Sequence, residues 1–66
     1  TMCADLRAIV STRPRGTHFP IGELREEMMR QADGDLDQVG FLRAVQELAT
    51  QDFIAHNERN ATVARR

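Results

Sequence analysis

Phe41–Arg66 reads FLRAVQELATQDFIAHNERNATVARR. In its first half apolar residues return every three or four positions: Phe41, Val45 and Leu48, with Ala44 and Ala49 beside them. That spacing predicts a helix with one buried stripe and with Arg43, Gln46 and Glu47 facing outward. Past Asp52 the period drops to two, so FIAH and ATVAR read as short strands. NERN between them is a polar turn, with Asn57 and Asn60 both tolerant of turn geometry. The stretch is therefore a helix running into a β-hairpin. Asp37 is its expected N-cap, with Asp35 as the other candidate, a carboxylate bond to first-turn N–H groups being worth about 1 kcal/mol. Gly40 inside the helix costs roughly 1 kcal/mol relative to alanine.

Upstream, Leu6, Ile9 and Val10, with Met2 one turn earlier, predict a first helix packed on one side and capped by Thr1. STRPRG ends it, because Pro14 disfavours helical geometry at Arg13 and Gly16 supplies a flexible corner. THF before Pro20 suffices for a strand of two or three residues. Pro20 then opens a second helix, IGELREEMMRQ, with Ile21, Leu24 and Met28 on one face. Its glutamates sit toward the N-terminal half, where the helix dipole favours them, and Glu26 is placed to reach Arg30 at i+4. ADGD stops it, with Gly34 suited to a left-handed terminal residue. The order helix, strand, helix, helix, strand, turn, strand predicts an α+β winged helix: a three-helix helix-turn-helix core, a C-terminal hairpin wing and a short third strand, as one domain over residues 1–66.

The chain of 66 residues is 41% hydrophobic and 29% charged, within the range of a globular domain near the lower size limit for a self-sufficient core. A net charge of −1 provides no global field toward a polyanion or an acidic membrane surface. A single Cys3 forms no internal disulfide, which favours an intracellular origin. No apolar run has the length of a membrane helix, and no membrane partner is expected. The start at Thr1 suggests an excised fragment.

The third helix has the wrong sign for reading DNA. From Asp35 to Asp52 there are four carboxylates, Asp35, Asp37, Glu47 and Asp52, against Arg43 alone, a local charge of −3. Phosphates would repel it where binding normally gains from counterion release. Gln38, Gln46 and Gln51 are able to hydrogen-bond bases, but a solvated face has the same composition. Arg13, Arg15, Arg59, Arg65 and Arg66 lie outside that helix and are the candidate phosphate contacts, able to touch a backbone without reading sequence.

Catalytic and metal chemistry is not evident. Cys3, His18 and His56 match no zinc-ligand spacing, and no nucleophile elbow or phosphate-binding loop occurs. Asp33, Asp35 and Asp37 alternate like the start of a calcium loop, but the closing glutamate is missing, so a capped turn is expected. No catalytic residue, metal or cofactor is expected in this fragment.

Residues LREEMMRQADGDLDQVGFLRAVQELATQDFI resemble the C-terminal winged-helix domain of the minichromosome maintenance helicase, most closely that of its fourth subunit. The matching positions are Leu24, Glu26, Glu27, Gln31 and Asp33, then Phe41, Ala44, Leu48, Ala49, Asp52 and Phe53, and finally Thr62 and Val63. The turn NERN, Pro20 and Gly40 depart from that pattern. The resemblance implies a nuclear replication protein whose ATPase and unwinding machinery lie elsewhere in the parent chain. It implies a small protein-binding appendage that helps dock the helicase ring onto its loading factors and neighbouring subunits. The expected function is a non-catalytic protein-interaction module with weak or no sequence-specific DNA binding. Its expected contact residues are Arg25, Glu27, Arg30, Arg43, Gln46 and Glu47. The competing expectation is the DNA-binding domain of a transcription regulator.

Overall fold

A computed structural model describes residues 1–32 and 34–66; the carboxylate expected at Asp33 lies outside the described residues. The domain is α+β, with three helices and a three-stranded antiparallel sheet. In chain order the elements are α1 (Met2–Val10), β1 (His18–Pro20), α2 (Ile21–Gln31), α3 (Gln38–Thr50), β2 (Ile54–Asn57) and β3 (Thr62–Arg65), the order expected from the sequence. The sheet order is β1-β3-β2, so the last strand lies in the middle, with Phe19 opposite Val63 on one side and His56 opposite Val63 on the other.

One core joins the layers. Leu6, Ile9 and Val10 of α1 and Leu24 and Met28 of α2 meet Phe41, Ala44, Val45 and Leu48 of α3, closed by Phe19, Ile54 and Val63 of the sheet. These are the apolar stripes of period 3.6 and 2 turned inward. Among the described residues no helix is long and apolar enough to cross a membrane.

The helix ends divide between expected and unexpected devices. Thr1 caps α1, its side chain accepting from the Ala4 N–H at 3.3 Å. Gly34 has φ +83°, and its N–H donates to the Met29 carbonyl at 2.7 Å, closing the end of α2. At the end of α3, Phe53 N–H donates to Leu48 O and Asp52 N–H to Ala49 O, the paired bonds of a Schellman motif. Asp52 there adopts φ 61°, a left-handed conformation usually left to glycine. The hairpin turn does likewise at Ala61, φ 52°, beside the asparagines from which turn geometry was expected. Asn57 does help, its Oδ1 accepting from the Asn60 N–H at 3.2 Å.

Two local expectations are corrected. Arg30 pairs with Glu27, three residues back, instead of Glu26, since both spacings bring side chains together on a helix. Asp37 does occupy the N-cap position of α3, but its side chain makes no capping hydrogen bond. The carboxylate instead rests beside Gly40, where a Cβ built on that glycine would lie 2.9 Å from Asp37 Oδ2. That carboxylate is exposed, so it can swing aside. Gly40→Ala is expected to raise stability by up to about 1 kcal/mol through backbone entropy and helix propensity. A higher denaturant midpoint at unchanged slope would show it, and a lower midpoint would mean that Asp37 is held in place.

Candidate functional site

The stripe that turns Phe41, Val45 and Leu48 inward leaves the rest of the α3 circumference to solvent. Val39 and Leu42 lie there, 62% and 48% exposed, the two large exposed hydrophobic side chains among the described residues. Their one-turn spacing puts both on a single face. Next to Leu42 a groove of about 320 Å³ opens between α3, α2 and the hairpin. Leu42 and Gln46 line it from α3, Ile21 and Arg25 from α2, and His56, Glu58 and Ala61 from the hairpin. The Ile21 N–H donates to the Ala61 carbonyl at 2.8 Å, which ties the hairpin to the start of α2 and fixes the groove's width. That bond also satisfies a first-turn N–H of a helix whose N-cap, Pro20, offers no side-chain acceptor.

Arg25 is the distinctive group in this groove. Its guanidinium lies over the Phe41 ring, 5.7 Å from the centroid, and its Nε is buried without a hydrogen-bond partner. No carboxylate pairs with it among the described residues.

The six expected contact residues do not form one surface. Arg25 and Gln46 share the groove, while Glu27 lines a second depression of about 420 Å³ between α1 and α2, with Ile9, Thr12 and Arg13. Arg30, strongly exposed, is held to Glu27. Arg43 is exposed on α3. Glu47 turns toward α1, where it accepts from Cys3 Sγ at 3.2 Å. That hydrogen bond, joined by desolvation and the carboxylate's charge, pushes the Cys3 thiol pKa up and keeps the thiol protonated and poorly nucleophilic at neutral pH.

Three of the five candidate phosphate contacts are engaged within the domain. Arg13 pairs with Glu23 and stacks over Phe19, 4.9 Å from the ring centroid. Arg66 Nη1 lies 3.2 Å from Asp52 Oδ1. Arg65 Nη1 donates to the carbonyls of Ser11 at 3.0 Å and Arg13 at 3.2 Å, placing a cation at the negative end of α1. Arg15 and Arg59 are exposed and make no ion pair among the described residues. They sit at opposite ends of the sheet, since Arg15 bridges Arg65 whereas Arg59 belongs to the turn after Asn57. Arg65→Ala should therefore cost about 1–2 kcal/mol through loss of two charge-assisted bonds at a partly exposed helix end. Denaturant melts would measure this, and a cost within about 0.5 kcal/mol of zero, the range of ordinary surface substitutions, would leave Arg65 without a structural duty.

Among the described residues no group of three or more His, Cys, Asp and Glu side chains is placed to hold a metal ion. His18 is exposed on β1 and His56 half-buried on β2. Val39, Leu42 and the hairpin residues of the groove are absent from the sequence-based contact set. The signal for Val39 and Leu42 was their phase, since both fall outside the Phe41–Val45–Leu48 stripe. The chain matches no known protein family, no curated protein and no solved structure with which it was compared.

Proposed function

We propose that this domain is a winged helix serving as a non-catalytic protein-interaction module. By the resemblance of its helices to the replicative helicase domains, it would belong to a nuclear helicase subunit and assist helicase loading and replication initiation. The observation that carries this reading is the outer face of α3, where Val39 and Leu42 stand in solvent on an element surrounded by carboxylates. Neighbouring exposed apolar side chains are what a protein partner covers, while the carboxylates of this segment would be repelled by the phosphates of a duplex. The arginine geometry supports the same choice over a DNA-binding regulator. Arg13, Arg65 and Arg66 already have partners, and Arg15 and Arg59, at opposite ends of the sheet, are not adjacent.

Titration of the domain with duplex DNA at two salt concentrations is expected to give no saturable binding in the micromolar range. Micromolar binding that falls steeply with salt and disappears in Arg15→Gln/Arg59→Gln would reverse the assignment. Pulldown of purified helicase-loading factors should succeed with the native domain and fail with Leu42→Asp.

A further inference from the structure

We infer that the groove beside Leu42 is a socket for a peptide segment of a partner protein that presents a large apolar side chain next to a carboxylate. The inference rests on the protein-interaction reading and specifies the chemistry of the partner.

The apolar half of the socket comes from Ile21, Leu42 and Ala61, with Val39 extending it along α3. At about 320 Å³ the groove is at the small end of ligand sites, enough for an anchoring side chain. The polar half is Arg25. Its guanidinium is held against Phe41, so little conformational freedom remains to be lost on binding. Its Nε is withdrawn from water yet unbonded, so the charge is partly desolvated and unneutralised. An incoming carboxylate supplies the opposite charge and accepts from the edge of the guanidinium that lines the groove, the strongest type of hydrogen bond available to arginine. Glu58 at the same groove opposes an acidic segment only weakly, because it is exposed and screened by solvent, so discrimination falls to Arg25. A second copy of this domain fits less well. Two exposed apolar side chains are far short of the roughly 800 Å² per partner that a stable dimer buries.

The test is selection of random dodecapeptides displayed on phage against the immobilised domain, with soluble Leu42→Asp domain as competitor. Leu42 is 48% exposed, so that variant keeps its fold, which circular dichroism verifies. Selected peptides should share an apolar residue adjacent to Asp or Glu and shift the amide resonances of Ile21, Arg25 and Leu42. Their affinity should fall at least tenfold in both Leu42→Asp and Arg25→Gln. Peptides that bind both variants unchanged, a basic consensus, or an empty selection would overturn the socket while leaving the protein-interaction reading intact. Duplex DNA shifting the same amides would overturn both. Concentration-dependent dimerisation abolished by Leu42→Asp would assign the groove to a second copy and overturn the peptide socket.

Discussion

Phe41→Ala is expected to abolish the cooperative unfolding transition of this domain. Phe41 is fully buried and heads the fully buried side chains by volume, with α1, α2 and the sheet packed into the same core as α3. Truncating a buried phenylalanine costs about 3–5 kcal/mol, from lost apolar burial and from the cavity left behind. A single core in a chain of 66 residues rarely supplies more than about 3–5 kcal/mol, so the variant retains little or nothing. Near-ultraviolet circular dichroism and a denaturant melt would show it. Phe41→Leu separates packing from the site above it. It refills most of the volume at a cost of about 1–2 kcal/mol but removes the ring beneath Arg25. That variant should fold and bind apolar-acidic peptides more weakly. A cooperative melt of Phe41→Ala close to that of the native domain would refute the packing described here.

The second large effect belongs to the middle of the sheet. Val63→Asn places an amide at a fully buried position of β3, flanked by Phe19 and His56. Lost burial of about 1.5–3 kcal/mol and a stranded polar group at about 1–3 kcal/mol add to roughly 2.5–6 kcal/mol. The same substitution at Ala55, half-exposed on the edge strand β2, should cost under about 1 kcal/mol. Equal penalties at the two positions would contradict the inward orientation of Val63.

The elements were legible in the sequence because each announces itself by period. Phe41, Val45 and Leu48 fix one face of α3 without reference to anything else, and the change to alternation after Asp52 marks the hairpin. Pro20 and Gly34 punctuate by backbone constraints that only those residues impose so strongly. The candidate site was less legible because it depends on how elements are rotated against one another. Sequence places Arg25, Glu27 and Arg30 outside the α2 stripe, but only packing decides that Arg25 overlooks α3 while Glu27 overlooks α1. Arg65 carries no local sign that it reaches 54 residues back to Ser11. The left-handed residues Asp52 and Ala61 were hidden for a related reason, since neither is the glycine by which such positions are usually read.

The placement of β3 has a consequence for biosynthesis. A ribosome that has delivered the chain as far as Asn57 has released β1 and β2, yet those two strands do not touch, because the strand between them is still to come. Until Thr62–Arg65 emerges, both present unpaired backbone to the crowded surroundings of the nascent chain, with Phe19 and Ile54 uncovered. Completion of this domain is thus timed by the clearance of its final strand from the exit tunnel, and slow clearance would lengthen its exposure to aggregation.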